Sequence, residues 1–324
     1  MKSVCLLVAL LVLAPSTRAG GLDAKRVAAD ARWVAHFDME ALLRSKLYTE
    51  LKEAEPSIDA HIDVEEMKAE FGIDPLHDLR SLTVYCAGTK SEDTVAILVG
   101  NEKLDQAEAR LGALDGHRTL DVGGHLVHQF GEHDETWYAY VSTPAGGSDR
   151  VVVLAKGQKL LEQGLAVLDG RAANLATADG ALIRAKPQAG SIVFAACSQS
   201  LAELGEIGSE QASAIARLAQ SFVLDVGEDR GELFANLAIT TEKPEDALRV
   251  QQVLQGATAL LSLVGGDEGE SARIQHLVAA LRFESLGSMM NARFRYPVRD
   301  LIEDLQALDD ESPHPHHHQG HHGK

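Results

Sequence analysis

Histidine is the most conspicuous residue type able to do chemistry in this 324-residue chain. The last eleven residues read HPHHHQGHHGK, and six of them are His314, His316, His317, His318, His321 and His322. Neutral imidazole is a good ligand for Zn, Ni and Cu(II), and several on one segment can wrap an ion. The stretch 309–324 as a whole has nothing apolar to bury, so it is expected to be a disordered acidic, His-rich tail. A disordered tail has no outer groups to fix ligand geometry or choose the metal, so a merely solubilising tail is the competing reading.

A second group lies within GHRTLDVGGHLVHQFGEHDE, which carries His117, His125, His128 and His133. The Gly123-Gly124 pair suits a two-residue hairpin turn that needs positive φ. With that turn, Val122 opposes His125 and Thr119 opposes His128. His117 and His128 then share a face as diagonal neighbours roughly 7 Å apart, while His125 points to the other face. A metal between His117 and His128 would need help, for example from Glu132, and no H-x-H or H-x-x-x-H pair on a helix supports one. Exposed strand histidines are the simpler reading.

Other chemistry finds little support. There is no G-x-S-x-G elbow to present a serine, no H-E-x-x-H, no Walker loop and no G-x-G-x-x-G after a strand. Gly265-Gly266-Asp267-Glu268 matches the start of a diguanylate cyclase signature, but Gly269 replaces its aromatic residue. Cys86 and Cys197 sit in the apolar runs LTVYC and IVFAAC, where burial raises a thiol's pKa and makes it a poor nucleophile. A disulfide between them is chemically open to an exported chain, and two small buried residues are the plainer expectation. Paired carboxylates for glycosidase work are too numerous to single out, and only Trp33 and Trp137 exist to stack on a sugar.

The elements that must position these residues begin with MKSVCLLVALLVLAPSTRAGG. Lys2, the apolar stretch Ser3 to Ala14 and the small-x-small site Thr17-Arg18-Ala19 read as a secretory signal peptide over 1–19, too short to span a bilayer. Cleavage after Ala19 leaves 28 basic against 48 acidic residues, a net charge of −20. That charge disfavours nucleic acid and anionic lipid, which demand clustered Lys and Arg. No later apolar run is long enough for a membrane helix, so no membrane insertion is expected after cleavage.

The remaining chain reads as one module written twice. Residues 80–107 (RSLTVYCAGTKSEDTVAILVGNEKLDQA) align without a gap on 220–247 (QSFVLDVGEDRGELFANLAITTEKPEDA) at a shift of 140. WVAHFDMEALL at 33–43 matches VFAACSQSLAEL at 193–204 at a shift of 160, each a strand ending in a helix-capping residue, Asp38 or Ser198. VVVLAKGQKLLEQ at 151–163 pairs with ARFRYPVRDLIED at 292–304, again strand then helix. Apolar stripes at helical spacing follow the caps, as in Met39, Leu42, Leu43, Leu47 and Leu51, and in Val298, Leu301, Ile302, Leu305 and Leu308. The expected fold is α+β: a tandem duplication of an antiparallel sheet module with helices on one face. Repeat 1 is placed at 24–170, a connection at 171–188 and repeat 2 at 189–308.

A signal peptide, two diverged α+β repeats and the joint NLATADGALIRAKP before a fresh strand resemble a group of exported bacterial proteins of unknown function. The resemblance implies a fold and no activity. The leading expectation is therefore an exported, non-enzymatic two-module binding or structural protein, periplasmic or extracellular. Its partner would be another protein or a small apolar ligand held between the modules. A transition-metal-binding protein using the tail is the first alternative, and a hydrolase with a site assembled from distant residues the second.

Overall fold

The structure, a computed structural model, describes residues 21–55, 68–69, 71–88, 91–114, 116–131, 136–142, 149–178, 182, 185–200, 210–262 and 268–310. Residues 1–19, expected to be a signal peptide, the tail histidines, Glu132 and His133 lie outside the described residues. Among the described residues, twelve strands form one antiparallel sheet: β1 (Trp33–Asp38), β2 (Leu79–Cys86), β3 (Thr94–Gly100), β4 (Arg118–Val122), β5 (His125–Phe130), β6 (Trp137–Val141), β7 (Arg150–Ala155), β8 (Ser191–Cys197), β9 (Ala219–Asp229), β10 (Glu232–Thr241), β11 (Leu281–Leu286) and β12 (Met289–Pro297). Their spatial order is β11-β12-β10-β9-β8-β1-β2-β3-β7-β6-β5-β4. Helices α1 (Met39–Arg44), α2 (Lys46–Ala54), α3 (Pro75–Asp78), α4 (Leu104–Leu111), α5 (Gln158–Leu168), α6 (Glu210–Leu218), α7 (Pro244–Leu261), α8 (Glu268–Ala279) and α9 (Val298–Asp310) complete the fold. Among the described residues, no helix is long and apolar enough to cross a membrane.

Local chemistry explains the element ends. The Asp38 carboxylate accepts from the Ala41 N–H and caps α1; Ser45 does the same for Tyr48 at the start of α2. Pro244 occupies the first turn of α7, where its missing N–H costs nothing. Gly123 and Gly124 both have positive φ, 65° and 87°, and close the β4–β5 hairpin in the register that the glycines dictate, with Val122 opposite His125 and Thr119 opposite His128.

The two halves of the chain do not face each other as separate sheets across a groove. β1 and β8, the first strand of each half, pair directly, with Ala35 opposite Ala195. Those two residues are also the ones that the 160-residue sequence shift matches. Outward from this pair, the succession β1-β2-β3-β7-β6 runs on one side and β8-β9-β10-β12-β11 on the other. The gapless shift of 140 needs correction within this frame. Phe37 pairs with Leu82 and Leu82 with Leu98, while Cys197 pairs with Phe222 and Phe222 with Ile239. Leu98 therefore corresponds to Ile239, a shift of 141, and a shift of 140 there would turn every side chain to the wrong face.

Each sheet face has its own core. On one face α1 and α4 cover Phe37, Leu82, Val84, Leu98 and Val152, and α7 covers Ile239, Met290 and Ala292. The helices gather on this face, with one exception. Leu161 and Leu165 of α5 pack on the opposite face against Val34, Tyr85, Ile97, Val153 and Phe194. The first half is thus covered on both sides. In the second half α9 stays with the other helices: it lies against α2, and Tyr296, on the face of Met290 and Ala292, donates to Asp304 of α9.

Cys86 and Cys197 are buried thiols, not joined in a disulfide. Both pair with Trp33, one through β2 and one through β8, so β1 lies between them. Two strand spacings put their Cα atoms about 10 Å apart, beyond disulfide reach.

Candidate ligand-binding site

The site lies in the first half, between α4 and the sheet. Leu104, Ala107 and Leu111 recur at helical spacing and are buried against the strands. Below them the strands contribute Leu98, Phe130, Trp137, Ala139, Val152 and Leu154. These large and small side chains do not fill the space, leaving an apolar cavity of about 90 Å³ that Phe71 and Ile73 also line. The charged side chain that lines it is Glu108, one position along from the buried Ala107.

Glu108 is tied to the two histidines that the hairpin reasoning picked out. His128 Nε2 lies 3.2 Å from Glu108 Oε1, and His128 Nδ1 lies 3.1 Å from His117 Nε2. The His117 and His128 rings lie 5.4 Å apart between centroids, inclined by 30°. His128 is buried at 7 % exposure, so its proton positions are set by these partners. A carboxylate accepts only, so the Nε2–H of His128 donates to Glu108. In the neutral tautomer its bare Nδ1 accepts from the Nε2–H of His117. The result is a chain, His117 to His128 to Glu108, ending at the cavity wall.

The sequence places His117 and His128 on one face but too far apart. The contact arises because His117 precedes β4 and its N–H bonds to Leu114 O, a turn that carries the ring over His128. Glu108 has no sequence signal: it is a polar neighbour of the α4 stripe, and only packing brings it to the hairpin. His125 points to the other face as expected, its ring edge-on to Tyr140 and its Nε2 2.9 Å from Asp169.

Two imidazoles and one carboxylate do not yet make a metal centre. Among the described residues no group of three or more His, Cys, Asp or Glu side chains is arranged to hold an ion. Glu108 approaches the nitrogen of His128 opposite the one that meets His117, so it would orient a ligand rather than coordinate with it.

A second cavity of about 90 Å³ on the other face is polar and lined by His36, Ser81, Thr83 and the ion pairs Arg26–Asp23 and Arg80–Asp149. His36 Nδ1 is 2.8 Å from Thr83 Oγ1, a hydroxyl–imidazole pair. Thr83 lies in mid-strand, buried at 7 % exposure, with no strained turn to present it to a substrate. The thiols fare no better: burial raises the Cys86 pKa, which keeps the sulfur protonated.

Comparison with known proteins adds little. No known protein family matches the chain, and no curated protein is similar to it in sequence. Among solved structures it is similar in fold to crystal forms III and I of TP0453. The TM-scores are 0.42 and 0.39, with 10 % identity in each case. The similarity covers 89 % of this chain and 99 % and 98 % of the respective TP0453 chains. A similarity this weak carries no argument about function.

Proposed function

We propose that the protein is an exported binding protein whose first half takes a small, mainly apolar ligand beneath α4, with one polar group of the ligand meeting Glu108. The observation that carries this reading is the cavity itself: an apolar space whose charged lining residue is held in place by His128 and His117. Ligand pockets are mostly apolar with a few placed polar groups that fix orientation, and this site has that composition. Its volume suits a short alkyl chain or a small ring; a longer ligand would need α4 to shift outward. Export by the signal peptide at 1–19, and an origin of the two halves by tandem duplication, belong to the same reading.

Trp137 lines the cavity and supplies the test. In a Trp33→Phe background its fluorescence reports on that space alone. Titration with straight-chain alcohols, carboxylic acids and amines of increasing length should give a saturable change, with Glu108→Gln altering the preference among head groups. No saturable change with any chain length or head group would end this reading.

The distance between the two imidazoles favours a second reading, transition-metal binding. Two nitrogens at 2.0–2.1 Å from a tetrahedral Zn lie about 3.3 Å apart, close to the 3.1 Å between His117 Nε2 and His128 Nδ1. The ion would take the place of the shared proton, with Glu108 holding His128 from behind. The tail histidines would add separate, unstructured capacity for Zn, Ni or Cu(II). Calorimetric titration of the whole protein and of a truncation ending at Leu308 separates the two. Binding that vanishes with the tail refutes the hairpin site, whereas stoichiometric binding that survives truncation and is lost in His117→Ala supports it.

A further inference from the structure

The far end of the sheet carries an inference independent of the cavity. β11 is an edge strand, and the residues it turns to the open face, Arg282, Glu284 and Leu286, are exposed, Leu286 at 70 %. Edge strands present unpaired backbone groups, and proteins usually blunt them with proline, bulges or repelling charges. The register of β11 on β12 is continuous from Leu281 to Leu286, with no proline and no bulge.

The charges on this edge are unresolved within the chain. Arg282 pairs directly with Arg293, placing like charges side by side, an arrangement that destabilises a sheet. Glu284 pairs with Asn291, and among the described residues its carboxylate has no hydrogen-bond or ion-pair partner. The Arg282 guanidinium reaches only the carbonyls of Ala279 and Leu281.

We propose that β11 is a dimerisation edge that pairs antiparallel with β11 of a second copy about a twofold axis at Phe283. In an antiparallel pair, opposite residues share a face, so the axis must pass through a residue pair. Centred on Arg282 or on Glu284, the pairing sets like charges against each other. Centred on Phe283, it sets Arg282 against Glu284 of the second copy twice, and Phe283 against Phe283. Both carboxylates gain a partner and both Arg282–Arg293 repulsions are relieved. The chain uses the same geometry internally, where β1 and β8 meet antiparallel at Ala35 and Ala195. The other edge, β4, lacks this complementarity: about its central Leu120, Arg118 would meet Val122 and Thr119 would meet Asp121. An isologous pair closes as a dimer, whereas β11 pairing with β4 would propagate as a fibre.

Sedimentation equilibrium of the protein at physiological salt tests this. The expected result is a dimer. Glu284→Arg and, separately, Arg282→Glu should each weaken it by about tenfold or more, because each creates two like-charge contacts. The double variant Arg282→Glu/Glu284→Arg should restore it to within about threefold, since the pairing is reversed but complementary. A single cooperative unfolding transition in each variant confirms that it is folded. A monomer at all concentrations, assemblies beyond a dimer, a dimer unmoved by the single reversals, or one weakened by them and not rescued by the double variant would overturn the proposal.

Discussion

The two halves of the sheet run outward through the same strand succession, yet one is buried on both faces and the other on one. The difference is written in the last strand before the final helix of each half. β7 reads RVVVLA, with apolar residues on both faces: Val151, Val153 and Ala155 turn to α5, and Val152 to the cavity side. β12 alternates, with Met290 and Ala292 buried and Arg293 and Arg295 exposed on the opposite face. A strand apolar on both faces needs cover on both, and a strand alternating apolar with polar needs it on one. The helix that follows goes where apolar surface remains. α5 therefore crosses to the face away from the other helices, while α9 stays with them. The first half therefore buries both faces of its strands, and the second leaves one face of β12 and β11 open to solvent.

This contrast can be broken most directly at equivalent positions. Val153 pairs with Ile97 and, through the register, lies where Asn291 does in β12, a shift of 138 that corrects the sequence match of 151–163 on 292–304, which would set Val153 on Phe294 of the opposite face. Val153 is 0 % exposed, so Val153→Asn should cost about 3 kcal/mol or more in urea unfolding, from lost burial and an unsatisfied amide. Asn291→Val should move stability by less than about 0.5 kcal/mol. Similar costs at the two sites would mean that the open face is covered after all.

The final helices give a slightly smaller contrast. Leu165 of α5 is 1 % exposed and Leu305 of α9 is 47 % exposed. Leu165→Ala is expected to cost about 2–4 kcal/mol, and Leu305→Ala less than about 1 kcal/mol. Thermal or denaturant unfolding of the pair decides it.

A pH effect sharpens the comparison at the helix caps. Asp38 in the first half corresponds to the uncharged Ser198 in the second. Burial, with Glu40 nearby, pushes the Asp38 carboxyl up to about 7, against the opposing pull of Arg44 and a backbone hydrogen bond. A folded-state pKa above the unfolded one means that the folded state holds the proton more tightly. The associated stability is complete below about pH 4 and is lost as pH rises towards 7. Asp38→Ser, which keeps a cap, should abolish this contribution and raise the melting temperature at pH 8 by about 2 °C or more. An unchanged pH–stability profile in Asp38→Ser would show that Asp38 titrates normally.

The smallest expected effect concerns the cysteines, one in each half. Both should resist alkylation in the native state and react as two free thiols once the protein is unfolded. Mass spectrometry that finds a native disulfide would contradict the placement of β1 between them.

How much of this was legible in the sequence depended on the range of the interaction. The Gly123-Gly124 turn, the Asp38 cap, the Pro244 start and the alternation of NARFRY are local, so residue type and spacing were enough. The antiparallel α+β class follows from them. The cavity was not legible, because its walls come from α4, β3, β5, β6 and β7 and its volume is a remainder left by packing. Glu108 shows the limit most clearly: it looks like any solvated helix residue, and only the docking of α4 beside the hairpin gives it His128 as a partner. The direct pairing of β1 with β8 was equally hidden, since strand pairing satisfies backbone groups that every residue carries and that no sequence pattern marks. Sequence by itself determined which segments become strands and helices and which faces of them are apolar. Tertiary structure alone decided which edges meet, which face α5 covers and which polar group lines the apolar cavity under α4, because those outcomes depend on how whole elements share the burial of their apolar surface.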